Sequence, residues 1–426
     1  MQHCKRVFLT FLLIAMAFAT FSQIAKSPFS SLGLGDIYGK SLTQNQGMGG
    51  LGISNPSPWY INNQNPALLI ANYVTTFQAG MILENRTVSD GTSSLKNASG
   101  NLNFLAMAFP VKPGKWTTAI GLMPYSTVNY RLNSVQSVAG SANSTVLSRE
   151  EGTGGLSRFY WSNGVKIHKN IAVGVTANYL FGSVITQNTN LLNRVDNQPT
   201  IFFPSIYERN FMKGVSFSTG LYLHKDSLFK KNYRVNVGLV YDFNSNLNNL
   251  RTLRIEQRSL RGSISDSTTI INNEPGIITV PQSYGAGVSF GRVNRWTVGA
   301  DVALTDYREF KGFVGNTPTT NTSLHGAVGF EIIPDPTGVG SYLKRITYRT
   351  GLSYDRYPYL TAGNEVKDFG VNFGVSLPVG RLSTIDMSLK LGKRGNLLDN
   401  SIEEDYFKFY FGMTFNDQWF VKRKFD

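Results

Sequence analysis

From Tyr73 to the end, the chain alternates apolar and polar residues with a period of two, and this pattern sets the limits on its fold. In 171–181, Ile171, Val173, Val175, Ala177, Tyr179 and Phe181 share one face, and Gly174, Thr176 and Asn178 share the other. In 233–243, Tyr233, Val235, Val237, Leu239, Tyr241 and Phe243 oppose Arg234, Asn236, Gly238 and Asp242. Near the end, Phe407, Phe409, Phe411, Met413 and Phe415 oppose Lys408, Tyr410, Gly412 and Thr414. Successive side chains of a strand point to opposite faces, so each segment reads as a strand with one greasy and one polar or small face. Fourteen such segments begin near 73, 100, 115, 155, 170, 208, 232, 278, 295, 321, 341, 365, 382 and 405.

Soluble sandwiches also alternate, but three features favour a membrane barrel. The segments run about 10–14 residues, longer than most globular strands and long enough to cross a bilayer when tilted. Their apolar faces carry terminal aromatics (Trp116, Trp161, Trp296, Tyr348, Tyr354, Phe407 and Trp419), as interfacial girdles do. Their connections alternate in length. Pro110–Gly114, Ile167–Asn170, Gly291–Asn294 and Val379–Leu382 are short, whereas 131–154, 190–207 and 250–277 are expected as long outer loops. Gly312–Asn321 and the acidic run Glu403-Glu404-Asp405 also read as outer loops. The expected fold is all-β, a transmembrane antiparallel β-barrel of about 14 strands.

Composition agrees with this reading. Charged residues make up 16% of the chain, and mean hydropathy is near neutral at -0.14. After the N-terminus no stretch has the 18 or so uninterrupted apolar residues of a spanning helix. The net charge of +14 is scattered, with no basic helix, which argues against nucleic acid and for anionic lipid headgroups or ligands. The only cysteine, Cys4, precedes an apolar run, and His3, His168, His224 and His325 lie far apart. With no H-E-x-x-H and four scattered histidines, the sequence supports neither a metal site nor a cofactor, and it lends an enzyme little support.

Residues 1–22 have the build of a secretory signal. Lys5 and Arg6 precede the apolar Val7–Phe18, and Thr20 and Ser22 are the small residues before a cut at Gln23. Export and a barrel together predict the cell outer membrane. Residues 23–72 have neither period, and the glycine-rich stretch from Gly47 to Gly52 permits tight turns. Irregular backbone persists at membrane depth only if it is buried in protein or faces water. A fourteen-stranded barrel leaves an open lumen unless something fills it. The predicted arrangement is therefore an N-terminal plug (hatch) at 23–72 inside a barrel formed by 73–426. Charged residues opposite the apolar faces would line the lumen, among them Lys166, Asp242, Asp301, Glu331, Asp386, Lys390 and Lys408. Arginine binds carboxylates bidentately, so Arg158, Arg234 and Arg349 are the candidate lumen contacts for an anionic amphiphile.

An N-terminal segment ending in Asn65-Pro66-Ala67 just before the first of fourteen strands resembles the outer-membrane long-chain fatty-acid transporter family, the FadL/TodX type. The motifs S-P-F-S-S-L-G-L-G-D at 27–36 and G-M-G-G-L-G-I-S at 47–54, with the ending F-N-D-Q-W-F-V-K-R-K-F-D, are similar to FadL-like barrels common in Bacteroidetes. The resemblance implies a hatch that includes Asn65, Pro66 and Ala67. It also implies a lateral wall opening at a kink in the third strand, which Met123, Pro124 and Tyr125 match. The implied function is passive transport of a hydrophobic small-molecule ligand, such as a long-chain fatty acid. The alternative is a non-transporting barrel acting as a partner or scaffold subunit of a secretion or surface-assembly machine, with an outer-membrane protein partner.

Overall fold

The computed structural model describes residues 26–137, 144–193, 202–227, 232–259, 262–313, 320–337, 340–380 and 382–417. The expected export signal and the ending that holds Trp419 lie outside them. The chain forms the expected barrel of fourteen antiparallel strands. These are β1 (Thr75–Ser89), β2 (Ser94–Lys112), β3 (Trp116–Ser137), β4 (Thr145–His168), β5 (Ile171–Asn193) and β6 (Phe202–Asp226). Next come β7, in two lengths (Tyr233–Asp242 and Ser245–Ser259), and β8, also in two lengths (Ile264–Val280 and Gln282–Arg292). The series ends with β9 (Trp296–Asp306), β10 (Thr322–Ile332), β11 (Thr347–Thr361), β12 (Asn364–Pro378), β13 (Ser383–Asn396) and β14 (Ile402–Asp417). β14 pairs with β1 from Glu403↔Ser89 to Asp417↔Thr75, which closes the barrel and leaves no edge in the membrane.

Most of 131–154, 190–207 and 250–277, expected as long loops, is strand. β3 and β4 stay paired to Ser137↔Thr145, and β7 and β8 to Arg258↔Ile264. The acidic run is strand as well. Glu404 faces inward on β14, fully buried, and is ion-paired to Arg86. The outer lengths of β3–β8 stand above the closed barrel as a six-stranded sheet. The β2–β3 ladder stops at Leu105↔Leu122, and β9 meets β8 only from Gln282↔Asp306 onward. A crease marks the junction. It runs through a register shift at Pro124–Ser126 on β3, the left-handed Gly154 and Gly155 on β4, the break after Asp242 on β7 and the break at Pro281 on β8. Above the crease the solvation pattern reverses. Leu180, Val184, Met212, Leu247 and Ile278 pack together on the inner face with Leu34, and Phe310 and Phe313 of an outer loop close over them.

Residues 26–72 run along the inward faces of the strands. Backbone meets backbone there, because inward glycines leave the room. A Cβ on Gly238 (β7) would collide with the Ile53 carbonyl, on Gly174 (β5) with Pro66 and Ala67, and on Gly351 (β11) with Met48. Wall side chains then satisfy the segment's irregular backbone. Asp301 accepts from Gly52 N and Ile53 N, each at 2.7 Å, and Gln78 accepts from Ile61 N at 2.8 Å. Ser388 donates to Thr43 O at 2.7 Å, and Ser289 donates to Ser54 O at 2.8 Å.

Candidate functional site

The N-terminal segment separates two cavities. The outer one, about 390 Å³, is lined by Tyr38 and Lys40 of the segment and by wall residues including Arg158, His325 and Lys390. The other, on the side where β1 begins and β14 ends, about 960 Å³, is lined by Trp59, Tyr60, Arg234 and Arg349 among others.

The three candidate arginines therefore do not form one site. Arg349 is held by Glu331 at 2.6 Å and by Ser376 at 2.5 Å, with its guanidinium 5.4 Å from the Tyr60 ring centre. It packs the wall against the N-terminal segment and is buried. Arg234 sits on the side where β1 begins, ion-paired to Asp226 and partly exposed. Each is already held by a carboxylate on a neighbouring strand, Arg349 by Glu331 and Arg234 by Asp226.

Arg158 is different. The residue is 4% exposed, and no carboxylate among the described residues lies within salt-bridge distance. Among the described residues its one hydrogen bond is from Nη2 to Met123 Sδ at 2.8 Å, and Nε has no partner there. The other cations of the outer cavity are matched. Arg86 is held by Glu84 at 2.5 Å and by Glu404, and Arg394 by Asp36 at 2.7 Å and Asp368 at 3.4 Å. Lys390 lies 3.6 Å from Asp368, Lys408 lies 3.7 Å from Glu84, and Lys40 pairs with Asp242. Burying an unpaired cation is costly, so a cavity facing it is a place where an anion is stabilised.

Register brings Arg158 to the crease. It lies opposite Met123 on β3, and Pro124 lies opposite Ser157. Pro124 thus stands where β3 parts from β2. The edge so exposed carries the two-residue strand Asp36–Ile37, paired with Thr127 and Ser126, and Ser27 N donates to Asn129 O at 2.9 Å. Asn65, Pro66 and Ala67 lie deeper, fully or nearly fully buried. Asn65 Oδ1 accepts from Ala67 N at 3.0 Å, capping the short 3-10 helix Pro66–Ala71, while its Nδ2 donates to Ile53 O at 2.9 Å and Leu221 O at 3.1 Å.

Two features escaped the sequence reading. His325 Nδ1 lies 2.6 Å from Asp355, and no described hydroxyl hydrogen-bonds the ring. Ser41, lining the same cavity, donates to Gly50 O at 3.0 Å. The second is the row of inward mid-strand glycines. Their signal was in the sequence, as glycine at polar-face positions of otherwise regular strands.

The model of one protein family, BamG, matches residues 4–426. The chain belongs to the BamG family. Among solved structures, the barrel of this BamG-family chain is similar to the Pseudomonas putida toluene transporter TodX, at 15% identity and TM-score 0.56, covering 91% of this chain and 100% of that one. It is similar to the Ralstonia pickettii toluene transporter TbuX at 13% identity and TM-score 0.55, covering 88% and 98%. It is also similar to the CymD monoaromatic hydrocarbon channel at 14% identity and TM-score 0.54, covering 89% and 98%. These likenesses share a fold, the FadL-like outer-membrane barrel that the sequence resembles. No curated protein sequence matches the chain.

Proposed function

We propose that the chain is a passive outer-membrane channel for hydrophobic or amphipathic small molecules, long-chain fatty acids among them. The observation that carries this is the unpaired, buried Arg158, which faces the outer cavity beneath the apolar cluster of Leu180, Met212 and Leu247. That arrangement suits an anionic headgroup on the guanidinium and an acyl or aromatic body against the apolar cluster. Residues 26–72 are then the hatch, with Asn65, Pro66 and Ala67 its firmest part. The parting of β2 and β3 at Pro124, covered by Asp36–Ile37, is then a lateral exit. The fold shared with toluene and hydrocarbon transporters supports the reading. In the test, mildly purified protein is analysed by mass spectrometry for bound lipid. An anionic amphiphile retained by the wild type and lost from Arg158→Met is expected. If no amphiphile co-purifies and added fatty acid leaves tryptophan fluorescence unchanged, the proposal fails.

A second reading is a partner subunit of an outer-membrane assembly machine, at which the family name also hints. The observation favouring it is the number of wall side chains that tie the N-terminal segment down, from Gln78 on β1 to Ser388 on β13. A seal fixed this firmly suits a scaffold. Mild crosslinking followed by pull-down separates the readings, because a stoichiometric large partner without bound amphiphile selects the second.

A further inference from the structure

The outer face of the wall carries a charge imbalance that neither cavity uses. On β6 the outward residues, counted from the short-turn side, are Leu223, Leu221, Thr219, Phe217 and Val215, and then Lys213, Phe211 and Arg209. On β5 the apolar outward run ends at Tyr179 and Phe181, opposite Val215 and Lys213. Lys213 is thus the first outward residue beyond the lipid-facing band. Arg209 is two outward positions further out, its guanidinium 5.8 Å from the Phe211 ring centre. Across the ladder, Arg254 stands opposite Tyr207 with its guanidinium 4.3 Å from that ring centre.

Above the band, the described outward faces of β3–β7 hold six cations (Arg131, Arg149, Arg209, Lys213, Arg254 and Arg258) against two carboxylates, Glu151 and Glu256. Both carboxylates are already engaged. Glu151 pairs with Arg131, and the fully buried Glu256 lies 2.6 Å from Arg258 and 3.6 Å from Arg254. Arg209 and Lys213 are exposed and have no ion-pair partner among the described residues. Between them lies an apolar floor of Phe181, Phe211, Ile185 and Leu250, continuous with the lipid-facing band. Cations above a greasy surface, at the depth where headgroups sit, match a lipid whose acyl chains follow the band and whose phosphates meet the guanidinium and ammonium groups.

We propose that the outer surface of β5–β7 is a binding site for a phosphorylated outer-leaflet lipid, its phosphates held by Lys213, Arg209 and Arg254. The site is on the outside of the wall and stands or fails independently of transport through the lumen. The test uses the full-length protein in detergent micelles, probed by native mass spectrometry with diphosphorylated lipid A, dephosphorylated lipid A and inorganic phosphate. Wild-type protein retains the diphosphorylated lipid. Arg209→Gln combined with Lys213→Gln lowers its retention about tenfold or more, while heat-modifiable gel migration shows an intact barrel. Equal retention of the dephosphorylated lipid overturns the proposal, since acyl contact alone would then suffice. Inorganic phosphate that binds as strongly as the lipid overturns it in favour of a free-anion site. An unchanged double variant overturns it outright. If the double variant does not fold, Arg254→Gln alone is measured, and unchanged retention there likewise refutes the site.

Discussion

Asn65→Ala tests how firmly the N-terminal segment is held. Asn65 is fully buried, and its side chain makes three hydrogen bonds: from Ala67 N at 3.0 Å, to Ile53 O at 2.9 Å and to Leu221 O at 3.1 Å. Each such bond contributes about 1 kcal/mol net, and the first is also a helix cap worth about as much. Alanine leaves no donor for two buried carbonyls, one of them on the barrel wall, so the local loss is about 3 kcal/mol. At about 1.4 kcal/mol per decade this raises opening of the segment around Pro66 by about two decades. Hydrogen exchange of a peptide covering 62–72, followed by mass spectrometry in detergent, reads that opening directly while the strands stay protected. Asn65→Asp sharpens the experiment. It keeps the acceptor for Ala67 N but sets a carboxylate against two carbonyl oxygens, so its exchange is at least as fast as that of the alanine variant. If protection of 62–72 changes by less than about threefold in both variants, Asn65 is not a holding point and the reasoning is wrong.

Other perturbations separate the arginines and the wall. Arg349→Met leaves the part-exposed Glu331 without its partner and destabilises the barrel by about 1.5–3 kcal/mol, read as a lower urea midpoint in micelles. Arg158→Met, which strips no carboxylate of its partner, leaves that midpoint unchanged or raises it. Gly238→Ala drives a methyl into the Ile53 carbonyl and costs about 1–3 kcal/mol, seen as faster exchange at 52–54. In the outer turn between β1 and β2, the Ser93 and Thr92 backbone N–H groups, at 2.7 and 2.9 Å, hold the Asp90 carboxyl below the usual carboxylate range. A depressed folded-state pKa means that this stabilisation is complete above the ordinary carboxylate range and is lost only as pH falls through the lowered value. The Ser93 amide therefore keeps its protection from pH 7 to mildly acidic pH in the wild type, and loses it throughout that range in Asp90→Ala.

The strand count and the short turns were legible because lipid enforces a single pattern, apolar outward. That pattern ends at the crease. Met212 and Leu247 face inward above it, and Lys213 and Arg209 face outward, so a rule tuned to apolar outward faces reads the upper wall as loop. Breaks at Pro281 and after Asp242 disturb the period further. Arg158 could be nominated from the sequence as an inward cation. What singles it out from Arg349 is which strand each neighbouring carboxylate occupies, and that depends on register between segments far apart in the chain. The buried anchors of residues 26–72 were hidden for the same reason, since Asp301 and Ser388 read as ordinary lumen residues until the backbone they hold is in place.

The ladder between β5 and β6 runs without a slip from Ile171↔Leu223 to Thr189↔Ser205, through the bilayer and out beyond it. The same hydrogen-bond register therefore serves in lipid and in water. An insertion or deletion of one residue between Lys213 and Phe217 would not stay local, because it would turn Met212 outward and Lys213 inward with every residue above them. The greasy band thus acts as a ruler for the polar wall standing on it. Length variation in this chain belongs at the strand tips, such as the turn Asp90–Ser93, and not within the wall.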